Sequence, residues 1–470
     1  MTEQRPHAHP GGSTRYWCPL LWTGEPGAAS LLRDAVVTVA GEVVESIEPD
    51  RPAPPDAVRL NGFTMPGLAN AHSHAFHRAL RGRTHADRGS FWTWREQMYR
   101  VADRLTPDTY LELARAGYAE MALAGITVVG EFHYLHHGPG GTPYDEPNVM
   151  GAALAQAAQD AGIRLVLADT CYLNGGLDPD GTLVPLQGAQ LRFGDGTAEA
   201  WAERASAFRP GSRAVRVAKA IHSVRAMPPD AMRVVAAAPF ADDLHVHLSE
   251  QRAENAACRA AYGCDPTQVL AEVGALGPRT TLVHATHLSP ADRDLIAGLG
   301  AGVCLCPTTE RDLGDGIGPA PALHAARPRS ISLGSDSHAV VDLFEEARAV
   351  ELDERLRSER RGHFAAEDLL YAATSAGRDA LGCDAFLTPG AAADLTTVDT
   401  DTVRLAGADW SRHADALGAI VFGATADDVR HVVVAGRPVV RDGAHLLLDD
   451  VPRRLDRAIR TVWSTVEGEA

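Results

Sequence analysis

The stretch NAHSHAFHRAL, residues 70–80, sets His72 and His74 two residues apart directly after the apolar run FTMPGL. On a strand, side chains at i and i+2 share a face, so both imidazoles can reach one metal ion. Histidine is the commonest side-chain ligand for zinc and related ions, and two fixed nitrogens supply half of a tetrahedral site. The same spacing recurs at His7 and His9, but in a polar tail with Gly and Pro and no strand to hold it, and it is set aside. Further ligands lie downstream. In DLHVHLSE, residues 243–250, His247 is nearer the strand's C-terminal end and is expected at the metal, with His245 packed one layer deeper. Glu250, three residues beyond His247, puts a carboxylate beside the metal without being an obvious ligand, which suits a general acid/base. His284 in LVHATH and Asp336 in LGSDSH complete the set. Singly, each has a plain structural reading: a packed histidine, a helix-start residue, a turn cap. At the ends of successive strands they form a specific combination.

Those strands can be read from the pattern. Residues 14–65 carry β-branched runs punctuated by Gly, Pro and Asp, the pattern of an antiparallel sheet. Apolar strand-like runs then alternate with Ala-rich helical stretches: FTMPGLANAH, ITVVGEF (126–132), RLVLADTCY (164–172), AVRVAKAIHS (214–223), DLHVHLSE (243–250), TTLVHATH (280–287), GVCLCP (302–307) and SISLGSDSH (330–338). Such alternation predicts an α/β protein built on a (β/α)8 TIM barrel over residues 66–384, whose chemistry belongs at the C-terminal strand ends. An open doubly wound sheet is disfavoured because no glycine-rich dinucleotide loop follows the first strand. After residue 385, β patterns return in AADLTTVD, ALGAIVFG and VRHVVVAGRPVV. They are expected to join residues 14–65 in a small all-β domain, a β-sandwich made of 14–65 plus 385–448, with a helical tail over 449–470.

Bulk properties narrow the function classes. A formal charge of −17 over 470 residues argues against a nucleic-acid partner, and an anionic substrate would need local arginines. No apolar run approaches the roughly 18 residues of a membrane span. The opening lacks the basic-then-apolar profile of a signal peptide. Seven scattered cysteines without a CxxC pair suit a reduced, cytoplasmic protein.

The ligand set and the barrel-plus-β organisation resemble the amidohydrolase superfamily, whose deaminase branch pairs a strand-five ending like HLSE with one catalytic metal. PGLANAHSHAFHRAL, SFWTWREQMY, GEFHYLHH, IHSVRA, VHATH, LCPTTERDLGDGI and GSDSH, spread over about residues 64–355, are similar to the formimidoylglutamate deiminase family of histidine degradation. The resemblance implies metal ligands at His72, His74, His247 and Asp336, with catalytic proton transfer by Glu250, His284 and Asp336. It also implies one divalent ion, zinc in the first instance with Fe2+ or Mn2+ also suited to this donor set. Substrate contacts are implied at Arg95, Tyr134, His222 and Arg225. The implied reaction is hydrolysis of N-formimino-L-glutamate to N-formyl-L-glutamate and ammonia, by a homodimer. Two arginines clamping two carboxylates agree with a dicarboxylate substrate in so acidic a chain. The rival reaction is deamination of a heterocyclic base of the guanine or cytosine type, and a non-catalytic scaffold is the reading from another class.

The chain departs from the family's pattern twice. His77 stands where the family often has glutamine, and it is expected to touch substrate with altered hydrogen bonding. Lys219 appears on strand four, where a carbamylated lysine could bridge two metals. It lies three residues from His222, so the two side chains face opposite sides of the strand, which argues against that role.

Overall fold

The computed structural model describes residues 13–85 and 91–467. His7 and His9 lie outside them. The N-terminal part forms β1 (Thr14–Trp22), β2 (Leu31–Ala40), β3 (Val43–Glu48), β4 (Val58–Arg59) and β5 (Phe63–Pro66). Then follow β6 (Leu68–Ser73), β7 (Ile126–His133) and β8 (Arg164–Cys171), a short hairpin of β9 (Gly176–Leu177) and β10 (Leu183–Val184), and β11 (Val215–Ser223). β12 (Leu244–Leu248), β13 (Thr280–His284), β14 (Gly302–Leu305) and β15 (Ile331–Leu333) complete the central part. The C-terminal strands are β16 (Leu395–Val398), β17 (Val429–Val434), β18 (Arg437–Arg441) and β19 (Ala444–His445).

An eight-stranded sheet in the order β15-β14-β13-β12-β11-β8-β7-β6 is parallel throughout, with helices between its strands. A parallel bridge between Ser73 and Asp336 joins β6 to β15 and closes the barrel. The eight strands fall in the eight runs read from the sequence. Burial on both faces makes them continuous apolar runs, which periodicity alone cannot tell from buried helix. Glycine, proline and the intervening helical stretches decide between the two.

A second, nine-stranded sheet combines both chain ends in the order β19-β18-β17-β16-β5-β1-β2-β3, with β4 on β1. It curls until the β2–β3 turn meets the β17–β18 turn, where a Cβ on Gly436 would stand 2.5 Å from the Gly41 carbonyl oxygen. The fold encloses its own core of Tyr16, Leu21, Val37, Val39, Leu395 and Val433. The described part of the C-terminal tail is a helix, Val451–Glu467. Its Trp463 indole donates to the Ala79 carbonyl at 2.8 Å.

Two local expectations are corrected. FTMPGLANAH is not one strand: β5 pairs with β1 and β16 in the terminal sheet, and the chain passes into the barrel at Gly67. A Cβ there would lie 2.1 Å from the Thr127 hydroxyl, so only glycine lets the two sheets approach so closely. ALGAIVFG is helical, within His413–Gly423. Its buried residues Ala416, Leu417, Ile420 and Val421 recur at helical spacing, and the helix packs against the helices Leu343–Ser358 and Ala366–Tyr371. The run's aliphatic character suggested a strand, but the period of its buried positions is that of a helix.

Candidate active site

His72 is on β6, and His74 follows it in extended backbone before the 3-10 turn Ala75–Leu80. Both rings therefore point into the C-terminal mouth of the barrel. His247 from β12 and Asp336, just past β15, complete a tight group. His72 Nε2 is 3.2 Å from His247 Nε2, and Asp336 Oδ1 is 3.4 Å from the Nε2 atoms of both His72 and His74. A Cβ on Gly334 would stand 2.7 Å from the His72 carbonyl oxygen, so this glycine is what lets β15 close on β6.

The residues present fit a divalent ion. His74 Nδ1 is 3.0 Å from the Phe132 carbonyl and His247 Nδ1 is 2.9 Å from the His222 carbonyl. A carbonyl only accepts, so each Nδ1 carries the proton and each neutral ring turns an Nε2 lone pair inward. Burial favours that neutral state, holding His247 well below the ordinary histidine pKa and His74 down at about 3. Inward lone pairs on close nitrogens repel unless a cation lies between them. Ligand distances of about 2.0–2.1 Å in a tetrahedron place donors roughly 3.3 Å apart, the spacing seen here.

Glu250 and His284 stand beside this group. His284 Nε2 is 3.6 Å from Asp336 Oδ2 and 3.7 Å from Glu250 Oε1, and its Nδ1 is 3.3 Å from Glu310 Oε1. Burial works against the His284 imidazolium. The carboxylates of Glu250, Glu310 and Asp336 outweigh it and hold the pKa well above the ordinary value. Burial likewise opposes the Asp336 carboxylate, but the imidazoles of His72, His284 and His74 keep it well below the usual range. Five non-glycine residues around the mouth, Ser249, His284, Ala285, Asp336 and His338, have φ between 37° and 69°. Such backbone costs about 1–3 kcal/mol per residue and persists where the surroundings enforce it.

A pocket opens above. Every substrate-contact residue expected from the sequence lines it: His77, Arg95, Tyr134, His222 and Arg225. Arg95, from the helix Phe91–Arg104, lies over the Tyr99 ring at 5.2 Å and donates to the Gly175 carbonyl at 3.4 Å. Arg225 reaches Glu250 Oε2 at 3.5 Å and Glu254 Oε2 at 3.4 Å. His77 Nε2 is 3.1 Å from the Tyr134 hydroxyl. His245 is buried below, and its Nε2 has no hydrogen-bond partner among the described residues. Lys219 points out of the barrel and donates to the carbonyls of Ala236 and Ala238, both at 3.0 Å.

Sequence reasoning missed Glu310, which meets His284, and the aromatic wall of Trp94, Tyr99, Tyr172 and Phe193. Tyr172 directly follows β8, so strand-end position was a usable signal for it, whereas Glu310 lies in the helix Pro307–Leu313 that follows β14. Phe193 follows the 3-10 turn Gly188–Arg192 and carries no such signal.

A closed barrel that gathers imidazoles and an aspartate at its C-terminal rim, with a further carboxylate alongside, has the organisation of a metal-dependent hydrolase. The chain belongs to the amidohydrolase family, whose model matches residues 63–439. Formimidoylglutamate deiminase of Pseudomonas aeruginosa is 39% identical over 422 residues, 86% of this chain and 90% of that protein. The 8-oxoguanine deaminase of the same organism is 31% identical over 423 residues, 87% of this chain and 90% of its own length. The crystal structure of an amidohydrolase from Brucella melitensis superposes with a TM-score of 0.86 at 31% identity, covering 96% of this chain and 100% of that one. The chain is a hydrolase acting on C–N bonds, of the deaminase and deiminase kind.

Proposed function

We propose that the protein hydrolyses the formimino group of N-formimino-L-glutamate to give N-formyl-L-glutamate and ammonia, a step of histidine degradation. The observation that carries this reading is the pair Arg95 and Arg225 in the wall of a pocket whose floor is the donor group. Guanidinium groups match carboxylates in charge and in paired hydrogen-bond geometry, and a substrate with two carboxylates gives both a task. The 39% identical relative named for this reaction supports the same choice. The aromatic wall favours a second reading, deamination of a flat base, and the likeness to 8-oxoguanine deaminase is in line with it. A neutral ring, however, presents no carboxylate for the two guanidinium groups of the wall to match.

His72, His74, His247 and Asp336 would hold the metal, with zinc the ion that best suits three imidazoles and one carboxylate. When bound, such an ion supplies Lewis acidity that brings the pKa of water towards neutrality. Arg95, Arg225, Tyr134 and His222 orient the glutamate portion so that its imino carbon faces the floor. His284 positions the attacking water oxygen, and Asp336 Oδ2 takes up its proton. Glu250 delivers one proton to the imino nitrogen as the water oxygen bonds to the imino carbon, and the proton held on Asp336 makes that nitrogen a leaving ammonia. The new hydroxyl returns its own proton to Glu250 as the C–N bond breaks and the formyl carbonyl forms. The test is ammonia release by purified, zinc-loaded protein given N-formimino-L-glutamate, guanine, cytosine or 8-oxoguanine separately. Turnover of the first alone is expected, and silence with it or faster release from a base overturns the reading.

A further inference from the structure

The backbone pairing of the barrel is sparsest beside His72, His74 and Asp336. Neighbouring strands elsewhere share ladders of three or more residue pairs, as β13 with β14 and β14 with β15 do. Between β15 and β6 the link is the single bridge Ser73–Asp336, with backbone hydrogen bonds from Asp336 N to His72 O at 3.0 Å and from His74 N to Asp336 O at 3.2 Å. His72, His74 and Asp336 thus sit on both sides of a seam with little backbone pairing of its own.

Side chains supply the rest. Glu131, near the end of β7, is completely buried beneath the HxH segment. Its Oε1 accepts from the Ala75 backbone N–H at 2.6 Å, and its Oε2 accepts from the Ser73 hydroxyl at 3.0 Å. With that proton committed, Ser73 Oγ accepts from His338 Nε2, 2.8 Å away. Ser73 and His338 are also fully buried, and His338 has φ 56°, two residues past Asp336 at φ 37°. The chain Ala75–Glu131–Ser73–His338 therefore fastens β6, β7 and the turn after β15 to one another, and each fastening lies within two residues of His72, His74 or Asp336.

We propose that Glu131, acting through Ser73 and His338, is the positioning residue that sets the spacing of the metal-binding group across the barrel seam. It touches neither ion nor substrate. Its contribution is to fix the backbone on which His74 turns inward and to hold the strained Asp336 turn against β6. The proposal is independent of which imine or ring the enzyme attacks.

The test uses the full chain, zinc alone and cobalt as a spectroscopic substitute. In Glu131→Ala and in Ser73→Ala, zinc affinity measured by chelator competition should fall about 10- to 100-fold, the range for groups that orient metal ligands. The d–d absorption of the cobalt-substituted variants should change shape, because the ligand geometry is relaxed. Glu131→Gln should recover wild-type affinity within roughly threefold, since its amide still accepts from Ala75 and bonds to Ser73. Ser73→Ala removes one hydroxyl and carries the test if Glu131→Ala does not fold. Zinc binding at wild-type strength with an unchanged cobalt spectrum in Ser73→Ala overturns the proposal. So does a Glu131→Gln variant as weak as Glu131→Ala, because charge and not hydrogen-bond geometry would then be the cause.

Discussion

Arg204, in the helix Ala198–Ala207, is the residue whose removal the structure prices most clearly. Its guanidinium donates to Asp195 Oδ1 and Oδ2 at 2.8 and 2.9 Å and to Asp169 Oδ1 and Oδ2, both at 2.9 Å. All three side chains are buried; Trp201 donates to Asp169, His137 Nε2 lies 3.1 Å from Asp195 Oδ1, and His136 Nε2 lies 3.9 Å from Asp169 Oδ1. Burial works against the Asp195 and Asp169 carboxylates. For Asp195 the His137 hydrogen bond and the charges of His136 and Arg204 outweigh it, and for Asp169 Arg204 leads, so both pKa values fall below the ordinary range. Arg204→Met leaves two buried carboxylates without their cation. Breaking a buried pair from one side costs about 3–5 kcal/mol, and with two carboxylates the upper end is expected. Because both folded-state pKa values are depressed, the wild-type stabilisation is fully present above the unfolded value of about 3.9 and is lost as pH falls through the folded values. In the variant the stranded carboxylates are raised instead and regain protons sooner on acidification. The gap between the proteins should therefore be widest near pH 7.5 and shrink towards pH 4.5. Urea unfolding at both pH values measures it. A loss under about 1 kcal/mol at pH 7.5, or a gap that does not narrow with acid, refutes the assignment of this cluster as a charge-compensated clamp.

Four further outcomes follow from the site. Dialysis against a strong chelator should abolish ammonia release, and one equivalent of zinc should restore it; full activity in the stripped protein would remove the metal from the reaction. Glu250→Gln should lower kcat about 10²- to 10⁴-fold with zinc content unchanged, the range for a lost general acid/base, as steady-state kinetics with metal analysis would show. Arg95→Ala and Arg225→Ala should each raise KM for N-formimino-L-glutamate about 10-fold or more, because each removes a charged hydrogen bond worth about 1.5–3 kcal/mol, while zinc content stays at the wild-type level. His77→Gln should change KM more than kcat, since His77 contacts the Tyr134 hydroxyl at 3.1 Å; an altered zinc content instead would place His77 among the ligands.

The sequence makes strand ends legible because one rule governs them: a polar residue after a buried apolar run in a barrel points at the mouth. His72, His74, His247, Glu250, His284 and Asp336 all obey it, and the structure brings them within a few ångströms of one another. Arg95 and Arg225 come from a helix and a turn, and local pattern does not show that they share one wall. They were reached through family motifs. Phe193 and Arg204 depend on how segments far apart in the chain pack together, which no window of sequence contains. ALGAIVFG shows the opposite failure, a local signal that was present and was read at the wrong period.

Backbone strain is the part of the site that sequence hides most completely. His284 and Asp336 sit at φ 69° and 37°, in the left-handed region that only a few per cent of non-glycine residues occupy, Asn, Asp and His more readily than the rest. A strand continued past β13 in regular geometry would carry the His284 side chain along the barrel wall instead of across its mouth. The left-handed turn redirects it between Glu250, Glu310 and Asp336. The same device at Asp336 turns one carboxylate oxygen towards His72 and His74 and the other towards His284. That divided orientation lets one carboxylate face both the His72–His74 pair and His284. The strain is therefore part of how this barrel assembles its chemistry, and the Glu131–Ser73–His338 fastening lies where that strain has to be resisted.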